Sequence, residues 1–152
     1  MSERAVGWAF VAVQAALLVT LVALPGGDDW STSGATGTVG DVVVVVGFVL
    51  MAVGALGLGR SLTPTPVPVD GGELRTSGPY RFVRHPIYTA VLLVVAGLTL
   101  RSGSWPTVAV AMATLVFFHV KAAWEERRLA ERYPGYDAYA RSTPRFVPRP
   151  GR

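Results

Sequence analysis

Apolar residues of this chain are concentrated in four runs, separated by short stretches rich in charge, proline or glycine. A helix needs about 20 mostly apolar residues to cross the ~30 Å hydrocarbon core of a bilayer. The pattern predicts an all-α integral membrane protein with four transmembrane helices, at about residues 5–24, 41–59, 86–100 and 105–132. The third run is short, so its helix either crosses with flanking Tyr88 and Arg101 reaching the interface or forms half of a hairpin; we expect it to cross.

The composition favours a single membrane domain over residues 1–152. Hydrophobic residues make up 51% and charged residues 16% of the chain, and the mean hydropathy is +0.41. This is too apolar for an ordinary soluble domain. The polar remainder predicts a loop at 60–85 and a C-terminal tail at 133–152, together with a short polar loop after the first helix.

The distribution of basic residues predicts the orientation of the helices, because lysine and arginine near helix ends stay on the cytoplasmic side. If all four helices cross, only Arg101 of the 14 lysines and arginines lies on the opposite face. We therefore predict cytoplasmic N- and C-termini in a bacterial inner membrane. Orientation and contact with anionic lipid account for the pI near 10, so no nucleic-acid partner is expected. The first run is longer than the apolar core of a signal peptide and lacks a small-x-small cleavage pattern, so we expect it to be retained.

Cysteine and histidine usage excludes several kinds of site. The chain has no cysteine, so disulfides, thiol catalysis and cysteine-based metal sites are excluded. Its two histidines, His85 and His119, are too far apart in sequence to form a metal-binding motif. No metal site is predicted.

Candidate chemistry appears first at 78–88, which reads GPYRFVRHPIY. Proline is favoured at the first turn of a helix, so Pro86 places His85 at a helix start. Unpaired N–H groups and the positive end of the helix dipole are found there, and Arg81 and Arg84 lie within reach, so the segment suits an anion. The alternative is that the arginines are topology anchors and that the tyrosines of this segment are ordinary interfacial residues.

A second cluster, the pair Glu125 and Glu126, stands at the end of the fourth predicted helix. On a helix Glu125 has Lys121 four residues before it and Arg128 three after it, so we expect these cations to neutralise it. Glu126 has no such neighbour and is flanked by alanines, which indicates a carboxylate facing a ligand pocket. We therefore expect Glu126 to matter more than Glu125 for binding. The alternative is a pair between Glu126 and Arg81 or Arg84 across the bundle.

Both clusters carry a family resemblance. LRTSGPYRFVRHPIY, an apolar hairpin, and EERRLAERYPGYDAYARSTPRFVP resemble the isoprenylcysteine carboxyl methyltransferase and phospholipid methyltransferase group of integral membrane enzymes. The resemblance covers 74–148, about half of the chain, and rests on the combination of GPY, RHPxY, the paired glutamates, YxxY and PRFVP. The chain departs from the group in Ala90, where relatives often have glycine, and in having fewer helices than eukaryotic members.

The resemblance implies a fold with a cytoplasmic pocket for S-adenosylmethionine, which becomes S-adenosylhomocysteine. It implies catalytic roles for Arg84, His85 and Glu126. It further implies that the cofactor is bound by Tyr80, Arg81, His85, Pro86, Tyr88, Glu125 and Glu126. Arginines and the helix start would receive the cofactor carboxylate, the glutamates its hydroxyls or ammonium, and the tyrosines its sulfonium.

The acceptor is not identified by the sequence. We expect a lipophilic small molecule or lipidated substrate, methylated on a carboxylate as in isoprenylcysteine carboxyl methyltransferases. The alternatives are N-methylation of a phospholipid or small amine, and a noncatalytic membrane scaffold that contacts lipids. Transport is disfavoured because the apolar runs carry almost no ionisable residue at mid-depth.

Overall fold

The computed structural model describes residues 2–59, 62–67 and 73–149, and within these ranges it is helical and contains no strand. The elements are α1 (Glu3–Ala23), α2 (Gly34–Leu58), a 3₁₀ turn (Gly78–Arg81), α3 (Pro86–Ser102), α4 (Trp105–Arg132) and α5 (Tyr136–Ser142). The predicted all-α architecture is confirmed.

Three helices, α1, α2 and α4, are long and apolar enough to cross a membrane, whereas α3 has only 17 residues. The outward faces of α1 and α2 carry many exposed apolar side chains, such as Val19 at 66% exposure and Leu56 at 82%. Such a surface is typical of helices that contact lipid. The protein is therefore an integral membrane protein with three candidate spans, and the fourth crossing stays a prediction.

Helix α2 begins at Gly34, seven residues before the predicted start, so the last part of the expected polar loop is helical. Glycine and threonine have low helix propensity, but tertiary packing overrides it here. A Cβ atom on Gly40 would lie 3.0 Å from the carbonyl oxygen of Gly97 on α3. The contact with α3 therefore continues into this first part of α2, where the helix propensity of the residues did not predict a helix.

Helices α2 and α3 pack closely along most of their length, through glycines. A Cβ on Gly47 would lie 2.9 Å from the carbonyl oxygen of Ala90, and one on Gly54 would lie 2.9 Å from Ile87 Cγ1. Small residues permit this approach of two backbones. Gly40, Gly47 and Gly54 of α2 therefore face α3 in the same chain.

The remaining contacts set which segments share an end of the bundle. Arg128 Nε at the end of α4 lies 3.2 Å from Glu3 Oε1 at the start of α1. At the other end Arg101 Nη1 lies 3.0 Å from Asp41 Oδ2. The starts of α1 and α3 and the end of α4 therefore lie together, and Arg101 lies opposite, in the arrangement that four crossings require. Which end faces the cytoplasm stays a prediction.

The C-terminal tail is not extended throughout, since α5 forms within it and packs back against the end of α4 and the segment before α3. Tyr136 and Phe146 of this tail are buried at 3% and 7% exposure. The tail is thus part of the folded bundle and can supply a wall to a site at this end.

Candidate functional site

A cavity of about 250 Å³ lies at the end of the bundle where α1 and α3 begin and α4 ends. This is near the lower limit of small-molecule sites, which span roughly 300 to 1,000 Å³. Residues 62–65, 67 and 73–75 cover it on one side. Five tyrosines line it: Tyr80, Tyr88, Tyr133, Tyr136 and Tyr139. Its charged or polar lining includes Gln14, Glu73, Arg75, Arg84, His85, Lys121 and Glu125.

Pro86 is the first residue of α3, as predicted, and His85 precedes it as the N-cap without making a side-chain cap hydrogen bond. The imidazole is 7% exposed and stacks on the ring of Tyr88, with centroids 5.1 Å apart and planes 1° apart. The His85 backbone N–H donates to the carbonyl of Arg145 at 3.1 Å. The helix start therefore presents a fixed histidine to the cavity.

Glu126 does not line the cavity and is the centre of an ionic cluster beside it. Its Oε1 accepts from Arg84 Nε at 3.1 Å, Arg84 Nη2 at 2.9 Å and Arg145 Nε at 3.0 Å. Arg145 Nη2 donates to Oε2 at 2.5 Å, and His85 Nε2 lies 3.0 Å from Oε1. Glu126 has no cation partner on its own helix, as the helix spacing predicted, but the expectation that it faces the pocket is wrong, because arginines from distant segments bind it. The pair with Arg84, one of the alternatives, is present.

The ionic cluster fixes the histidine. An ionised carboxylate only accepts hydrogen bonds, so His85 Nε2 carries the proton and donates to Glu126. The other ring nitrogen, Nδ1, lies 3.8 Å from Glu125 Oε2. Hydrogen bonding to Glu126 raises the pKa of the Arg145 guanidinium, so this partner also stays charged.

Glu125, rather than Glu126, lines the cavity. Its Oε2 accepts a hydrogen bond from the Tyr88 hydroxyl at 2.6 Å. The predicted ion pairs with its own helix are not formed among the described residues: Lys121 Nζ donates to Gln14 Oε1 at 2.7 Å, and Arg128 pairs with Glu3. Since α4 packs on α1, both cations turn toward that helix. Lys121 and Glu125 interact only through space.

The two arginines of the segment before α3 have different positions. Arg84 lines the cavity, and its Nη1 donates to the carbonyls of Ala140 at 2.8 Å and Thr143 at 2.5 Å. Arg81 is exposed, with its guanidinium 4.8 Å from the centre of the Phe82 ring, and lies outside the cavity. The prediction that Arg81 contacts a ligand in the pocket is therefore not supported by its placement.

The tyrosines join the walls of the cavity. Tyr139 of α5 donates its hydroxyl to the carbonyl of Tyr80 at 2.5 Å, and Tyr80 donates to the carbonyl of Gly54 on α2 at 3.2 Å. Burial raises the pKa of Tyr139 to about 12 and also raises the pKa of Tyr80, so both phenols stay protonated donors. Tyr136 is buried, and its hydroxyl has no hydrogen-bond partner among the described residues. A buried polar atom without a partner is uncommon in native structures, and Tyr136 is one of the residues of the cavity wall.

Several residues of this site were not predicted as such, among them Gln14, Lys121, Tyr136 and Arg145. YxxY and PRFVP contain two of them, but a motif does not show where its side chains lie. Gln14 and Thr20 are the two polar residues within the apolar run of α1, and the long amide of Gln14 was the available signal. Within the described ranges, no group of three or more His, Cys, Asp or Glu residues is placed to hold a metal ion.

Comparison with known proteins identifies related sequences. The model of the phospholipid methyltransferase family matches residues 35–135. A 77-residue stretch is 42% identical to the cobalt-zinc-cadmium resistance protein CzcN of Cupriavidus metallidurans, covering 50% of this chain and 36% of that protein. A 78-residue stretch is 36% identical to the nickel-cobalt-cadmium resistance protein NccN of Alcaligenes xylosoxydans xylosoxydans, covering 51% of this chain and 37% of that protein. The matched region thus spans just over a third of these relatives.

The family match covers more than half of the chain and includes α2, the segment before α3, α3 and α4, which carry most of the cavity. The chain belongs to the phospholipid methyltransferase family of membrane methyltransferases.

Proposed function

We propose that this family member transfers a methyl group from S-adenosylmethionine to a lipophilic acceptor at the cytoplasmic face of a bacterial inner membrane. The supporting observation is the cavity at the shared end of α1, α3 and α4, in which His85 and Glu125 face one space. The family supports methyl transfer, and the cavity supplies groups that match this cofactor.

The lining fits the parts of S-adenosylmethionine, which has a carboxylate, an ammonium, a sulfonium and a ribose diol. The hydroxyl of Tyr136, which has no partner among the described residues, is the group that we assign to a ribose hydroxyl. Glu125 Oε1 makes no hydrogen bond to the described residues, whereas Oε2 is held by Tyr88, so Oε1 is the acceptor for a hydroxyl or the ammonium. Aromatic faces such as those of Tyr80 and Tyr88 attract a sulfonium.

The start of α3 is the candidate site for the cofactor carboxylate. N–H groups of the first turn have no partner within a helix, and they carry the positive end of the helix dipole. Arg84 directs its Nη1 to two tail carbonyls and its Nε to Glu126, so its part is to hold the tail and the ionic cluster. The helix start therefore receives the carboxylate, Arg84 and Glu126 position His85, and Arg81 has no assigned contact.

Bound S-adenosylmethionine supplies an electrophilic methyl group. The residues of the chain contribute by fixing the two reactants and excluding water, which accounts for much of the acceleration in such a transfer. A carboxylate acceptor needs no general base. For an amine acceptor, Nδ1 of His85, the ring nitrogen that does not contact Glu126, is the group that would take a proton.

The preferred acceptor is a carboxylate on a lipophilic molecule, and the alternative is the amine of a phospholipid or small molecule. Radiolabelled methyl donor added to vesicles containing the protein and a bacterial lipid extract distinguishes the two. A carboxyl methyl ester releases its label in mild base, whereas an N-methyl group retains it. Label that is base-labile supports the first acceptor, and base-stable label supports the second.

Cofactor binding is tested by calorimetry with S-adenosylhomocysteine on the reconstituted protein. We expect micromolar affinity, and at least a tenfold loss for Glu125→Gln. Glu131→Gln is the matched control, since Glu131 lies on the same helix and is exposed. Absence of binding to the folded protein would instead support a noncatalytic membrane scaffold.

A further inference from the structure

Lys121 places an ammonium inside the bundle, at the side of the cavity that faces the membrane-spanning part. It is 2% exposed and lines the cavity. It precedes Arg128 by seven residues of α4, so it lies about 10 Å deeper along the helix. A lysine at the centre of a bilayer costs roughly 2.5 to 3.5 kcal/mol, so lysines at depth generally have a partner or a function.

The observed partners of Lys121 do not neutralise it. Its Nζ donates to Gln14 Oε1 at 2.7 Å and lies 5.0 Å from the centre of the Tyr88 ring. In the part of the chain that the structure describes, no carboxylate oxygen lies within 4.0 Å of Nζ. Gln14 fixes the direction of the ammonium through a neutral oxygen. The charge of Glu125, in the same cavity wall, acts on Lys121 through space but forms no ion pair with it among the described residues, so Nζ can still pair with an anion in the cavity.

Gln14 also adds a second donor. Because its Oε1 accepts from the ammonium, its Nε2 carries two N–H groups that are not used in that bond. An ammonium and an amide from two facing helices together suit one carboxylate. Both lie within candidate spans, since Gln14 is in α1 and Lys121 in α4, whereas Tyr133 and α5 line the cavity at its outer end.

We propose that Lys121, held by Gln14, receives the carboxylate of the lipophilic methyl acceptor and so selects an anionic acceptor over an amine. The inference rests on the proposed function, in which the cofactor occupies the helix start, Glu125 and the outer wall. The position beside Lys121 and Gln14, deeper in the bundle, is then open to an acceptor that enters from the lipid bilayer. In the reaction a carboxylate oxygen bonds to the methyl carbon while the carbon–sulfur bond breaks, the electron pair stays on sulfur, and no proton moves.

The charge of Lys121 favours a carboxylate over an amine acceptor at this position. An ammonium acceptor would approach Lys121 as a like charge and would have to lose its proton first. A carboxylate gains a charge-assisted hydrogen bond there. The residue therefore determines acceptor class, whereas the groups at the helix start determine donor binding.

The test compares N-acetyl-S-farnesylcysteine with its carboxamide as ligands of the reconstituted protein loaded with S-adenosylhomocysteine. We expect the carboxylate to bind at least tenfold more tightly than the carboxamide in the wild type. Lys121→Met should abolish this difference, and Lys121→Arg, which keeps the charge, should retain part of it. The affinity for S-adenosylhomocysteine should change less than threefold in both variants.

Two results would overturn the inference while leaving the proposed function intact. The first is a wild type that binds S-adenosylhomocysteine but does not discriminate between carboxylate and carboxamide, a measurement that needs no variant. The second is a Lys121→Met protein that loses affinity for S-adenosylhomocysteine but not for methylthioadenosine, which lacks the amino acid part; the lysine would then bind the donor carboxylate. A wild type that does not bind S-adenosylhomocysteine contradicts the proposed function itself, and with it this inference.

Discussion

The His85 Nε2 atom lies 3.0 Å from Glu126 Oε1, although 40 residues and two helices separate them along the chain. This contact joins the start of α3 to the end of α4. Arg84 and Arg145 reach the same carboxylate, so three segments meet at one charged group. The adjacent Glu125 points to the cavity. Two neighbouring glutamates thus have separate tasks, and this separation can be tested.

The first prediction concerns Glu126→Gln and Glu125→Gln. Glu126 has a side chain only 13% exposed, and its removal leaves two arginines with less charge to balance them. Breaking such a buried pair costs on the order of 3 kcal/mol. We expect Glu126→Gln to lower the thermal stability of the purified protein strongly, and Glu125→Gln to lower it little while weakening S-adenosylhomocysteine binding.

Thermal unfolding in detergent and calorimetry on the same samples measure the two effects. The result that contradicts this division is a Glu126→Gln protein of wild-type stability whose binding alone is reduced. That result would restore the interpretation based on helix spacing, in which Glu126 faces the ligand.

The sequence predicted that Glu126 faces the pocket and that Glu125 is neutralised, whereas in the structure Glu125 lines the cavity and Glu126 is paired. This exchange of roles shows which features the sequence could predict and which it could not. Hydropathy predicted the helices, and the chemistry of proline predicted the helix start at Pro86. The family resemblance predicted that the two motifs meet. Each of these signals is local in the sequence or shared by the family. Which face of α4 points inward depends on packing against α1 and on the returning tail. Neither Gln14 nor Arg145 can be connected to α4 by counting residues along that helix.

The second prediction uses the hydroxyl of Tyr136, which has no hydrogen-bond partner in the described part of the chain. An unsatisfied buried hydroxyl gives no hydrogen-bond energy to the free protein, so Tyr136→Phe should leave its thermal stability unchanged or slightly higher. If the hydroxyl binds the cofactor, the same variant should lose about tenfold in S-adenosylhomocysteine affinity, equivalent to about 1.4 kcal/mol.

Tyr139→Phe is the matched control, since its hydroxyl already donates to the Tyr80 carbonyl. This variant should lose about 1 kcal/mol of stability without ligand, the usual value of one hydrogen bond. Equal behaviour of the two variants in both measurements would show that the Tyr136 hydroxyl is not a ligand contact.

The third prediction tests the close packing of α2 on α3. A Cβ on Gly97 would lie 2.6 Å from the carbonyl oxygen of Gly40, which is backbone and cannot rotate away. Alanine has the higher helix propensity by about 1 kcal/mol, but overpacking typically costs 1 to 3 kcal/mol and backbone separation adds to this. We expect Gly97→Ala to be destabilising.

The measurement is the midpoint of thermal unfolding, with Gly135→Ala as the control. A Cβ on Gly135 meets no atom within 4 Å, and its φ of −86° is open to any residue. A Gly97→Ala protein as stable as this control would mean that α2 and α3 are further apart in the membrane.

The last prediction separates the two arginines before α3 by the same conservative change. Arg84 uses one planar group in two directions, toward Glu126 and toward the carbonyls of Ala140 and Thr143. Lysine is a single point charge and cannot serve both, so Arg84→Lys should release the tail from the helix start. Since α5 supplies Tyr136 and Tyr139 to the cavity, S-adenosylhomocysteine affinity should fall as well. Hydrogen exchange over 140–146 should become faster, whereas Arg81→Lys, at an exposed position outside the cavity, should change neither quantity. If Arg84→Lys keeps the slow exchange of this segment, the tail is held by Arg145 and Tyr139 without it.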